Sequence, residues 1–258
     1  MTMYVITHKD FDYPLPEHYS ALLVGANQNQ AQNNYLKDNI GENISDKNAS
    51  YCELTGIYWI WKNQSDSNVG ISHYRRYFAD YSSYNHMVFT DLFTGKLRPV
   101  STEKLDRYLL DYDWIVAQPM RMVEPTVKEQ FMSSHHPQDL KTTGKIIAEL
   151  FPEYLADFDA VMGQSKASFY NMFYTTKKEL AEYSKWLFTV LFAVEKEVDI
   201  STYSGYQKRL FGFLGERLLN VWLHHRQGKI KYLPVYNSSA TSRIDAARDI
   251  KHTILRWN

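Results

Sequence analysis

Short apolar runs recur along this chain at residues 4–7, 22–24, 69–72 and 114–117, each too brief for a helix and each closed by polar or turn-forming residues. A run that is apolar at successive positions suits a strand buried on both faces, and such strands need helices to cover them. The stretch before the third run supplies one. Ser45 is positioned to cap a helix reaching about Asn63, with Asp46 in its first turn. Cys52, Leu54, Ile57, Tyr58, Trp59, Ile60 and Trp61 make that helix apolar nearly all round, which predicts burial between layers. Strand, loop, helix and strand in succession is an α/β order.

The remaining elements extend this pattern. Ser101 caps a helix carrying Leu105, Tyr108 and Leu109, and residues 169–175 read as a strand interrupted by Asn171. A helical stripe follows at Leu180, Tyr183, Leu187, Val190, Leu191 and Val194, then a helix over 207–225 and a last strand over 230–235. Residues 119–170 hold several short helices, with Pro125, Pro137 and Pro152 at starts or breaks. That separation of two core strands exceeds an ordinary crossover, so this segment is expected to be a functional insertion walling one side of a cleft. Residues 1–258 form a single expected domain. Its tail, 242–258, sets Ile244, Ala247, Ile254 and Leu255 against Arg243, Arg248, Lys251 and Arg256. A basic amphipathic helix of this kind either packs on its own domain or makes a weak membrane-surface contact.

Composition narrows the partners. Lys and Arg total 29 and so do Asp and Glu, which argues against binding nucleic acid through bulk charge and makes any anion site local. No stretch approaches 18 apolar residues, and the opening residues have neither a basic nor an apolar leader region, so a cytoplasmic protein is expected. The single cysteine, Cys52, allows no internal disulfide and is expected in the core. Aromatic residues reach 15%, including 20 Tyr, a composition suited to stacking on sugars and equally to filling a core.

The chemistry is expected at His73-Tyr-Arg-Arg-Tyr-Phe78, which follows the third apolar run directly. Adjacent arginines cannot share one face of a strand, so Arg75 and Arg76 belong where the chain leaves the sheet. There their forked guanidinium groups suit phosphate oxygens. His8 and Lys9 form a similar polar exit after the first run. Ligands of open α/β sheets sit outside the carboxyl ends of the strands, where all five of these residues fall. His135 and His136 with Asp139 are the nearest approach to a metal-ligand set, but neighbouring histidines seldom converge on one ion, and no metal site is expected. Phosphoryl transfer through His73 lacks a glycine-rich phosphate loop.

Several segments occur in a telling order: Asp38-Asn-Ile-Gly-Glu-Asn-Ile-Ser45, Tyr51-Cys-Glu-Leu-Thr-Gly-Ile-Tyr-Trp-Ile-Trp-Lys-Asn63, the His73 segment, Asn171-Met-Phe173 and Arg209-Leu-Phe-Gly-Phe-Leu-Gly-Glu-Arg217. Together, up to about Val235, they resemble a bacterial family of capsular and exopolysaccharide glycosyltransferases, long labelled a domain of unknown function, in which galactofuranosyltransferases are known. The resemblance implies a GT-A-like, Rossmann-related sheet flanked by helices, a nucleotide-sugar donor such as a UDP-sugar, and a saccharide or lipid-linked oligosaccharide acceptor at the inner membrane face. Most GT-A enzymes carry a metal-binding Asp-x-Asp where this chain has His-Tyr-Arg-Arg. Fixed guanidinium groups are therefore expected to neutralise the leaving diphosphate without a divalent metal.

An inverting transfer also needs a base for the acceptor hydroxyl. Glu216 stands at about the chain position where inverting members of this fold place one, among small residues that let substrate approach; the alternative is a buried ion pair with Arg209 or Arg217. Asp139 with His136 is the second choice, or else Asp139 is a helix cap. Asn171 is a candidate for hydrogen bonding the sugar and Asp38 for contacting the nucleoside, with a bulge and a turn as their respective alternatives. Beside the enzyme stands a different class, a non-catalytic nucleotide- or glycan-binding module.

Overall fold

A computed structural model describes residues 1–94 and 97–239. In chain order the strands and helices are β1 (Thr2–Thr7), β2 (Tyr19–Leu23), β3 (Leu36–Lys37), α1 (Asn48–Tyr51), α2 (Leu54–Asn63), β4 (Asn68–His73), β5 (Arg76–Phe78), α3 (Tyr84–Thr94), α4 (Thr102–Tyr108) and β6 (Trp114–Ala117). The second half adds β7 (Met120–Arg121), α5 (Val127–Ser134), α6 (Pro137–Leu150), α7 (Leu155–Met162), β8 (Lys166–Ala167), β9 (Phe173–Thr176), α8 (Lys177–Glu197), α9 (Leu210–Arg226), β10 (Ile230–Leu233) and β11 (Val235–Asn237).

One mixed sheet organises the molecule, in the order β10-β6-β9-β4-β1-β2-β3, with β5 bridging β4 to β11. Its strands run parallel except β9, which is antiparallel to both β4 and β6, and the short antiparallel connection β5–β11. The apolar runs become strands because both faces are covered. Tyr4 and Ile6 of β1 join Val69, Ile71, Trp114 and Phe173 in a core with α2, α8 and α9. Their neighbours Met3 and Val5 join Ile115, Tyr174, Tyr77 and Leu105 in a second core on the opposite face. This alternation is the two-residue period of a strand read in three dimensions.

Three expectations change. The helix expected from Ser45 to Asn63 is a 3₁₀ turn (Ser45–Lys47) followed by α1 and α2, broken at Cys52 in a left-handed conformation (φ 52°). Ser45 caps nothing, because its hydroxyl donates to the buried carboxylate of Asp38 (2.6 Å). The strand expected over 169–175 starts only at Phe173, since Tyr170 (φ 80°) and Asn171 (φ 51°) end the extended chain. Gly212 and Gly215 of α9 do not open space for substrate. A Cβ on Gly212 would stand 3.2 Å from Cys52, and one on Gly215 would stand 2.9 Å from Leu54, so these glycines let α9 pack against the break between α1 and α2.

Between β6 and β9 the chain forms α5, α6, α7 and the small β7–β8 sheet. The basic tail 242–258 lies outside the described residues. Among the described residues no helix is long and apolar enough to cross a membrane.

Candidate active site

At the carboxyl edge of the sheet, β4 ends at His73, turns through Tyr74 and Arg75, and returns as β5 with Arg76 paired to His73. The tightness of this turn brings both arginines to one cavity of about 440 Å³, lined also by His8, Glu53, Arg209 and Glu216. Arg75 stacks on Tyr74 (5.6 Å) and Arg76 on Tyr170 (4.4 Å). Among the described residues neither guanidinium is ion-paired, so both retain their hydrogen-bonding edges for an anion. Arg209, also in this cavity, donates through Nε to the Cys52 sulfur (3.2 Å). Cys52 thus lines the cleft and does not sit in the core, and burial pushes its thiol up to about 12, leaving it protonated.

Tyr170 is clamped from both sides. The His73 ring donates through Nε2 to the Tyr170 carbonyl (2.6 Å), and the Tyr170 N–H donates to Glu216 Oε1 (2.9 Å). These bonds over-determine a backbone conformation that a tyrosine otherwise adopts at a cost. Burial and the nearby Arg76 push the His73 pKa down to about 4, so the ring is neutral and its Nε2 carries the proton for this bond. The same residues make poor material for a phosphohistidine mechanism, since His73 is committed to holding Tyr170.

Glu216 has 17% of its side chain exposed and pairs through Oε2 with Arg217 (2.8 Å). Burial raises its carboxyl above the ordinary range, the Arg217 charge opposes that, and the nearby Glu53 charge adds to it. A second cavity, of about 410 Å³, lies beyond it, and both cavities are lined by Tyr170 and Glu216. Glu216 therefore stands between two spaces, one rich in cations and one walled by aromatic rings. The Arg217 ion pair is formed as well, so base and ion-pair partner are compatible roles for this carboxylate.

Of the residues singled out from sequence, His8, His73, Arg75, Arg76 and Glu216 meet at the first cavity. Burial, with Lys9 and Arg75 nearby, lowers the pKa of His8. Lys9 falls outside the lining; its ammonium sits over the Tyr74 ring (5.4 Å). Asp38 is fully buried, accepting from the backbone N–H groups of Gly25 (2.9 Å) and Ala26 (3.0 Å) and the hydroxyls of Ser45 and Thr55. With four donors satisfied it braces the loop after β2 and lines neither cavity. Gly25 is required there by its φ of +59° and because a Cβ would meet Asn48 at 2.6 Å.

Asn171 is likewise a brace. Its amide donates to Glu53 (2.7 Å) and to the Gly212 carbonyl (3.2 Å), and it is buried away from the cleft. Asp139 lines neither cavity. It sits in the first turn of α6, accepts from Tyr203 (2.9 Å) and has its carboxyl raised by burial, while His136, at the cap position of α6, stacks on Tyr203. His135 points instead into an aromatic stack with Phe213, so the two histidines diverge, and among the described residues no three His, Cys, Asp or Glu side chains are grouped to hold a metal.

Sequence reasoning assigned no role to Glu53 and Tyr170, and gave Arg209 only as an alternative ion-pair partner of Glu216, where the structure has Arg217. Burial raises the carboxyl of Glu53, whose one side-chain hydrogen-bond partner among the described residues is the Asn171 amide. The available signal was a glutamate inside an otherwise apolar run.

In comparison with solved structures, the fold is similar to the apo structure of WbbM, a bifunctional glycosyltransferase, with a TM-score of 0.81 and 25% sequence identity. The match covers 92% of this chain and 45% of that one, so this chain spans under half of WbbM's length. The mixed sheet, with β9 reversed between β4 and β6 and helices flanking it, is GT-A-like. A comparison with curated proteins gave no match. Residues 2–227 match the family described as a domain of unknown function, DUF4422, and the chain belongs to that family.

Proposed function

We propose that this chain is an inverting glycosyltransferase that moves a sugar from a nucleoside-diphosphate donor to a saccharide acceptor. The observation that carries the proposal is the position of Glu216, which borders both a cavity holding Arg75, Arg76 and Arg209 and a second, aromatic cavity. The likeness to a bifunctional glycosyltransferase supports the reaction class. In this reading the acceptor hydroxyl attacks the anomeric carbon and passes its proton to Glu216, while the bond from that carbon to the diphosphate oxygen breaks. Charge developing on the departing diphosphate is met by guanidinium groups already in place, so no reorganisation is needed at the moment of transfer.

The finer assignments belong to the same proposal: a UDP-sugar, galactofuranose among its sugars, passed to a growing capsular or exopolysaccharide chain or its lipid-linked precursor at the cytoplasmic membrane face. Arg75→Ala and Arg76→Ala should each weaken binding of a nucleoside diphosphate by about 2 kcal/mol, roughly 30-fold, because each loses a charge-assisted contact. Calorimetry with UDP checks this; unchanged affinity in a folded double variant contradicts the phosphate role. Divalent metal is not required in this scheme. Turnover should survive excess EDTA, and its loss on chelation with recovery in magnesium or manganese would refute the arginine mechanism.

The Glu216–Arg217 ion pair favours one competing reading, a nucleotide-binding module in which Glu216 is purely structural. Such a module would bind UDP with the same arginine dependence and consume no donor.

A further inference from the structure

The second cavity has a wall unlike the first. His135 closes α5, Tyr206 lies in the 3₁₀ turn Gly205–Arg209, and Phe213 is in the first turn of α9, so three separate segments converge there. Their rings overlap: His135 lies 4.2 Å from Phe213 at 25° and 5.7 Å from Tyr206 at 20°, and Tyr206 is 4.6 Å from Phe213. Gln207 ties the group together, its carbonyl oxygen accepting from His135 Nδ1 (3.2 Å) and its amide donating to the Ser134 carbonyl (2.8 Å). Tyr206 nevertheless remains 58% exposed, a large ring held in position and left open to solvent.

Charges lining this cavity balance, Arg121 and Arg217 against Glu124 and Glu216, which favours an uncharged ligand. Burial pushes the His135 pKa down to about 4, so the ring is neutral near pH 7. The charge of Arg217 is met by Glu216, and its guanidinium also donates to the Phe213 carbonyl and to Gln130. One nitrogen is left over: Arg217 Nε is buried in a residue 3% exposed and has no hydrogen-bond partner among the described residues, although Arg217 lines the cavity. Such an orphaned donor is costly unless a ligand or water meets it. Arg209 joins the two spaces, lining the first cavity while its guanidinium lies 5.8 Å from the Tyr206 ring and 5.5 Å from that of Phe213.

We infer that the second cavity is the acceptor subsite, and that the Tyr206, His135 and Phe213 platform carries a neutral sugar ring by its C–H face and presents a hydroxyl of that ring to Glu216. The inference rests on the glycosyl-transfer reading and adds to it the class of acceptor and the residues that select it. Aromatic faces pair with the C–H faces of sugars, and a cavity of this volume lies within the range of small-ligand sites. A nucleobase would also stack on such a platform. Its diphosphate, however, would then have to pass Tyr170 and Glu216 to reach Arg75 and Arg76, because those two residues border both cavities.

Saturation-transfer difference NMR on the full chain, with methyl β-D-galactopyranoside as the probe, tests the assignment. Saturation of the ring protons is expected in the wild type, to persist when UDP is added to saturation, and to fall about 5-fold or more in Tyr206→Ala, an exposed position where truncation leaves the core intact. UDP affinity by calorimetry should be the same in both proteins. Equal saturation in Tyr206→Ala, or none in the wild type, overturns the platform; displacement of the pyranoside by UDP gives the platform to the nucleobase and also overturns it. Pyranoside saturation that depends on Tyr206 in a protein that fails to bind UDP would uphold the sugar platform while removing the donor reading, so the two failures are separable.

Discussion

Glu216→Gln is expected to lower the turnover rate about 100-fold or more while leaving UDP affinity near that of the wild type, since a positioned base contributes that much and Gln cannot accept the proton. Glu216 meets the Tyr170 N–H with Oε1 and Arg217 with Oε2, so the amide keeps one of these bonds and sets an NH2 group against the other donor, and the rate is read in a variant shown to be folded. The pH profile gives a second readout. Burial raises the Glu216 pKa, so the acid limb of the wild-type rate should lie above the ordinary glutamate value of about 4.3, with activity falling as pH drops through the raised pKa. The sign for stability is opposite. A carboxyl whose folded pKa is raised contributes stability that is present below its unfolded pKa and lost as pH rises through the folded one, and this dependence should vanish in the variant. Near-normal turnover in a folded Glu216→Gln protein would exclude the base role.

Asp38→Ala should cost about 4 kcal/mol of folding stability, measured by urea denaturation. The loss combines hydrogen bonds to a charged acceptor with buried donors left unmet. Asp38→Asn should recover only part of it, because an amide turns one donor-facing atom into a donor. The effect on the site is indirect. Asp38 holds Ser45 and Thr55, which flank the segment carrying Asn48, Cys52 and Glu53 along the first cavity. A change under 1 kcal/mol in Asp38→Ala would show that the loop after β2 is held by something else.

The sheet was legible in the sequence where strands are buried on both faces, because continuous apolar runs are what such burial requires. β3, β5 and β11 were not, since two or three residues carry no periodicity. The break at Cys52 was hidden for a different reason. Neither glycine nor proline marks it, and the apolar spacing on either side continues as though one helix ran through. Tyr170 and Asn171 conceal the late start of β9 in the same way; their left-handed conformations are imposed by His73, Glu216 and Glu53, partners far away in sequence.

That His73, Arg75 and Arg76 meet could be anticipated because they leave the carboxyl end of one strand, whereas Glu216, in the second turn of α9, was singled out through the family resemblance. Asp38, Asn171 and Asp139 were read as facing ligand for their chemistry, but whether a polar side chain faces a ligand or a backbone donor is decided by tertiary packing. Each of these three has protein partners in buried positions. The resemblance found in the motifs agrees with the family match to DUF4422 over residues 2–227. The capsular acceptor and the galactofuranose donor rest on that resemblance and on the proposal built from the site.

Release of nucleoside diphosphate from a panel of nucleotide sugars by the purified chain, with a saccharide acceptor present, measures the central claim directly. The account predicts that at least one donor is consumed, at a rate that depends on Glu216. Binding of UDP with no donor consumed across the panel would contradict it and leave a nucleotide-binding module in its place.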